Sequence, residues 1–159
     1  MTNELSKLVT FRLGDDLFAA DIFAVERVLR YQPPTVVPDM PSWIEGVIEY
    51  QQRVVPVINL RRRFELPDAP VRNETRILVL NSGAEWVGAI VDSVLEVAGI
   101  EDGQLSSPPE FFRGLAGEYL KGIVRQSERL VIVLDIGRLL SATERLVLER
   151  AASEAALRG

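Results

Sequence analysis

Apolar residues along the chain fall in short runs of Val, Ile, Leu and aromatic side chains, interrupted by Gly, Pro, Asn and Asp. That pattern belongs to short strands joined by tight turns. It predicts strands at residues 7–13, 17–20, 47–50, 54–58, 76–81, 86–91, 95–98, 121–124 and 130–134, with turns at Gly14-Asp15-Asp16 and Ser82-Gly83-Ala84. Helix is expected only in short pieces and at the C-terminus. There Ser141, with Glu144 three positions on, makes a capping box ahead of Leu146, Val147 and Leu148, and the helix it starts is expected to pack across the strands.

The runs repeat. The segment WIEGVIEYQQRVVPVINL from Trp43 aligns without gaps on YLKGIVRQSERLVIVLDI from Tyr119. Gly46 falls on Gly122, Arg53 on Arg129, Val55 on Val131, Val57 on Val133 and Asn59 on Asp135. A second match, at a smaller offset, sets Phe18, Ile22, Val25 and Val28 on Val87, Val91, Val94 and Val97. The change of offset implies an insertion in the second copy, where SSPPEFFRGLAG stands. Two copies of about five short strands each suggest two small β-barrels fused through a pseudo-twofold, with hidden sheet edges and a groove at the junction. Pro67, Pro70 and polar neighbours put the boundary near residues 68–74. The expected organisation is a single domain over 1–159, with a first barrel at 8–68, a second at 74–140 and a C-terminal helix at 141–157.

Composition removes most chemistry. The 159 residues include no cysteine and no histidine, so thiolate nucleophiles, imidazole bases and the usual ligands of zinc, copper and non-haem iron are missing. No carboxylate pair has a spacing that argues for acid–base work. No catalytic residue, metal or cofactor is therefore expected. A net charge of −5 disfavours nucleic acid and anionic lipid, both of which call for a basic surface. Residues 1–7 are polar and no apolar run reaches the length of a membrane span, so no membrane insertion and a cytoplasmic location are expected. The partners expected are proteins.

Taken in order, LVTFRLGDDLFAADIFAVERV, VVPDMPSWIEGVI, RVVPVINLR, VGAIVDSVLEV and EYLKGIV with ERLVIVLDIGRLL resemble the CheW family of chemotaxis adaptors, over most of the chain from Leu8 to Leu140. The resemblance implies a mainly β fold of two intertwined, pseudo-symmetric SH3-like five-stranded barrels with short helices. It also implies a non-catalytic role. The groove between the barrels would accept the cytoplasmic helical tip of a chemoreceptor, and the barrel ends would meet the regulatory domain of a CheA-type histidine kinase. Val25, Val28, Val47 and Val97, with Gly46 allowing close approach, match groove positions of that family. Each valine alone reads equally well as barrel core.

The chain departs from the family in two places. Where the family usually reads GVINLRG, Gly46 is followed by Val47, Ile48, Glu49, Tyr50, Gln51 and Gln52. Gln51 takes the place of an arginine and Gln52 that of a glycine, which loses a permanent charge and predicts a turn of different shape. In VERV, where the family commonly has VQEI, Arg27 takes an acidic position. If acid and arginine pair in the family, both have changed here, which predicts altered partner choice. Arg61, Arg62 and Arg63 read as a solvated face or as partners of Glu65 and Asp68 rather than an anion site. Trp43 and Trp86 read as barrel aromatics, and Asp21, Asp92 and Asp135 as turn or helix-start residues. An adaptor of a non-flagellar chemosensory system is a second reading. A small-ligand or hydrolytic domain using the inter-barrel cleft is a third, from another class.

Overall fold

The computed structural model describes residues 5–82, 85–107 and 119–139. The expected turn residues Gly83 and Ala84, most of the inserted segment and the expected helix at 141–157 lie outside the described residues. The order is β1 (Leu5–Leu13), β2 (Asp16–Asp21), a 3-10 turn (Ile22–Ala24), β3 (Val25–Arg30), β4 (Ile44–Tyr50), β5 (Arg53–Asn59) and α1 (Leu60–Arg63). Then follow β6 (Arg76–Ser82), β7 (Glu85–Val91), β8 (Ser93–Glu101), a second 3-10 turn (Asp102–Gln104), β9 (Leu105–Ser106), β10 (Leu120–Gln126), β11 (Arg129–Leu134) and α2 (Ile136–Leu139). The fold is mainly β, as expected. Each predicted strand is present, and two unforeseen ones join them. Of these, β3 carries Glu26, Arg27 and Val28 exposed in succession, and β9 is only two residues long.

The strands form two sheets, β8-β1-β2-β11-β10-β9 and β3-β6-β7-β5-β4. Most neighbours run antiparallel, while β2 with β11 and β5 with β7 pair in parallel. The repeat read from the sequence is visible in this register. Val133 pairs with Ala19 as Val57 pairs with Gly88. Phe11 pairs with Val94 as Leu80 pairs with Val25, and Val9 with Val97 as Leu78 with Val28. The backbone N–H of Asn59 reaches the Trp43 carbonyl at 2.7 Å, and that of Asp135 reaches the Tyr119 carbonyl at 2.8 Å. Sheet membership crosses the chain's midpoint: segments 8–68 and 74–140 each contribute strands to both sheets. An alignment of two halves says which strands are alike but not which sheet each enters.

Three main clusters of apolar side chains explain why the strands read as unbroken runs. One lies within the first sheet, around Leu8, Ala19, Val124, Val131 and Val133. Another lies within the second, around Ile48, Val55, Val57 and Ile77, with Trp86 and Tyr50 at its margin. The largest draws on both sheets, joining Phe11, Phe18 and Ile132 to Ile58, Leu78, Val87 and Phe64. Ile77 belongs to one cluster and Leu78 to another, and so do Val131 and Ile132. A strand between two cores must be apolar on both faces, so alternation disappears.

Candidate partner-binding surface

The repeat gives β3 and β8 the same place in different sheets, each at an edge. Val25 and its counterpart Val94 turn inward against the shared core. Val28 and its counterpart Val97 remain 41% and 53% exposed. Two β-branched side chains are thus held on rigid edge strands and left open to solvent, an arrangement suited to contact with another protein. Val94 was absent from the candidate positions. Its alignment on Val25 was the signal that could have found it.

Val47 and Gly46 serve the fold. Val47 is buried beneath Val37, with Met40 and Val54 alongside. Its N–H and C=O bond to Thr35 at 2.9 and 2.8 Å. Gly46 permits that approach: it has φ +147, and a Cβ there would overlap the Thr35 carbonyl oxygen and sit 2.7 Å from its carbon. In the second half Gly122 does the same beside β9, where a Cβ would lie 2.7 Å from the Ser106 carbonyl oxygen.

The hairpin between β4 and β5 keeps its tightest form. Tyr50 pairs with Arg53, leaving Gln51 and Gln52 as a two-residue turn, and both have positive φ, +48 and +64. Both glutamines take the left-handed conformation that such a turn imposes. The ends are held by Arg53 stacked 4.2 Å over the Trp86 ring and by Tyr50 and Trp86 with ring centroids 5.6 Å apart. Gln52→Gly is expected to relieve one such conformation and to stabilise the protein by about 0.5–1 kcal/mol. Chemical denaturation measures this as a higher midpoint at unchanged slope.

Arg27 is exposed on β3. Among the described residues no hydrogen bond or ion pair joins it to Gln51, and β3 and β4 occupy opposite edges of the sheet order. The three consecutive arginines have separate tasks. Arg61 Nε donates to Asp92 at 2.9 Å and its Nη1 to the Pro67 carbonyl at 2.7 Å. Arg62 pairs with Asp68 at 3.2 Å and with Glu45 at 3.4 Å. Arg63 lies 5.1 Å from the Trp43 ring and 4.9 Å from that of Tyr119, and donates to the Tyr119 hydroxyl. Trp43 and Tyr119 are counterparts in the repeat, so one guanidinium ties the two halves together. Trp43 therefore flanks the shared core rather than a barrel interior.

The Arg61–Asp92 pair was hidden from sequence reading by its separation along the chain. Asp92 also accepts the Gly14 N–H at 2.7 Å. Burial pushes the Asp92 carboxyl up, but the hydrogen bonds from Arg61 and Gly14 and the nearby Arg61 charge outweigh it, and the group sits below its usual value. Arg61 is raised by the same hydrogen bond. Burial, reinforced by Glu45, raises the Tyr31 hydroxyl.

Two clefts of about 340 Å³ are also related by the repeat. One is lined by Arg12, Arg61, Thr75, Asp92 and Ser93, the other by Asn81, Gly137, Ser6 and Ala24 among more apolar neighbours. Among the described residues no group of three or more acidic side chains is placed to hold a metal. Nor is any described helix long and apolar enough to cross a membrane.

Comparison with known proteins gives consistent results. The sequence matches the CheW-like domain family over residues 7–144. It is 33% identical over 148 residues to a chemotaxis protein CheW of Treponema pallidum, covering 91% of this chain and 87% of that protein. It is 34% identical over 146 residues to one of Klebsiella aerogenes, covering 92% and 88%. The fold is similar to that of the scaffolding protein TtCheW from Thermoanaerobacter tengcongensis, with a TM-score of 0.82, 28% identity, and coverage of 89% of this chain and 96% of that one.

Proposed function

The chain belongs to the CheW-like domain family, and from that membership we propose that it works without catalysis of its own, as an adaptor coupling chemoreceptors to a CheA-type histidine kinase. Its role in chemotaxis signalling is that of a scaffold. In the cytoplasm it receives a chemoreceptor's helical tip against Val28 and Val97, with Val25 packed inward behind them. Gly46 and Val47 hold the 31–43 segment on β4. The kinase's regulatory domain meets the barrel ends, where Gln51 and Gln52 alter the preference among partners, as Arg27 does beside Val28 on β3.

The observation that carries this reading is the pair of half-exposed valines, Val28 and Val97, at equivalent points of two edge strands. Apolar side chains fixed in this way lose little conformational entropy on binding, and burying what remains exposed of each is worth about 1 kcal/mol. The double variant Val28→Glu with Val97→Glu is expected to lower affinity for a receptor tip at least about tenfold. Its melting temperature should stay close to that of the parent, since both side chains face solvent. Co-sedimentation with receptor tips, and separately with the kinase regulatory domain, measures the effect. Full receptor binding by the folded double variant would remove these valines from the receptor surface.

A further inference from the structure

The two clefts related by the repeat differ in what spans them. In the first, Arg61 and Asp92 bridge the walls. In the second, the equivalent positions hold Gly137 and Phe23. The glycine removes the arm, and the phenylalanine turns outward to 91% exposure. The second cleft is lined by Leu8, Ile100, Leu105, Val133, Leu134 and Ile136, and has about the same volume as the first. Asp21 and Ala24, which flank the turn carrying Phe23, line the same cleft. An exposed aromatic knob and an apolar hole therefore occupy one face. The knob is held in place, since the Asp21 carboxylate accepts the Phe23 N–H at 2.8 Å and fixes the turn.

We propose that this face is the contact of a self-associated pair, in which each copy's Phe23 enters the other's cleft. Because knob and hole are neighbours, a twofold axis at the cleft mouth satisfies both at once with one set of contacts, as an isologous dimer requires. Charge supports a second copy as the occupant. The same cleft carries Lys121, which has no ion-pair partner among the described residues, together with Asp21. A face bearing both signs is complementary to itself under a twofold. Aromatic anchors surrounded by apolar walls are the side chains that dominate such contacts.

Sedimentation velocity on the full chain, without receptor or kinase, tests the inference. The parent protein is expected to dimerise reversibly as concentration rises toward the millimolar range. Phe23→Glu removes the knob, and Gly137→Arg gives the second cleft the arm that its twin carries. Each is expected to weaken dimerisation at least about tenfold. Phe23→Glu should leave the melting temperature of the monomer unchanged, because the side chain makes little contact within its own chain. A parent that stays monomeric throughout, or variants that dimerise as the parent does, would overturn the proposal. Loss of receptor binding in Phe23→Glu with a monomeric parent would do so too, since it gives the face to a different protein. None of these results bears on the adaptor role, which the receptor and kinase assays test independently.

Discussion

Gly46→Ala is expected to destabilise the protein by about 3 kcal/mol, enough to lower the melting temperature by roughly 10 °C in a domain of this size. Two costs combine. The backbone holds φ +147, a conformation that L side chains rarely adopt, and the new methyl would overlap the Thr35 carbonyl. Relief requires the 31–43 segment to move off β4, which breaks the two backbone hydrogen bonds between Thr35 and Val47 and uncovers Val47. Amide exchange at Thr35 and Val47 should accordingly lose protection before the rest of β4. Gly99→Ala serves as the control, because a Cβ there meets nothing within 4 Å. A Gly46→Ala protein as stable as the control would show that the bridge yields without strain.

Removing the Asp92 carboxylate by Asp92→Ala is expected to cost about 2–4 kcal/mol. The change strands the Arg61 guanidinium, whose side chain is only 16% exposed, and leaves the Gly14 N–H without its acceptor. The pair should be coupled: Arg61→Ala in the Asp92→Ala background is expected to cost at least about 1 kcal/mol less than it does alone. The dependence on pH has a definite sign. Asp92 titrates below its usual value when folded, so its contribution is fully present above the unfolded carboxyl value near 4 and is lost as pH falls through the lower folded one. The stability gap between parent and Asp92→Ala should therefore narrow on acidification. Equilibrium unfolding at pH 7 and near pH 3 measures it, and a gap that widened in acid would contradict the assignment.

Much of this architecture was legible in the residues. The twofold repeat could be read because paired positions such as Gly46 and Gly122 answer to the same kind of backbone approach, and Val55 and Val131 to equivalent clusters in the two sheets. β3 escaped notice because an edge strand need not be apolar, and Glu26 and Arg27 stand in its middle. The Arg61–Asp92 contact escaped because nothing local distinguishes an aspartate that ends a strand from one that accepts a distant guanidinium. Among the candidate residues, Val28 and Val97 stand at the surface while Val47 lies under Val37. The difference depends on which loop crosses above each strand, and sequence periodicity carries no record of that. Nor does local sequence show that Arg53, Tyr50 and Trp86 meet at the base of the Gln51–Gln52 hairpin.

The crossing of strands between sheets also bears on how the chain is made. β2 pairs in parallel with β11, the last strand, and β5 pairs in parallel with β7. When the first half has left the ribosome, neither sheet can close. The second sheet waits for β6 and β7, and the first for residues up to Leu134. Until then β1 and β2 offer unpaired edges of an apolar hairpin to the crowded interior of the cell, the condition under which nascent chains associate wrongly. Such long-range pairing also makes for slow folding. The two sheets therefore finish in turn, the second once β7 has been made and the first only when β11 has followed.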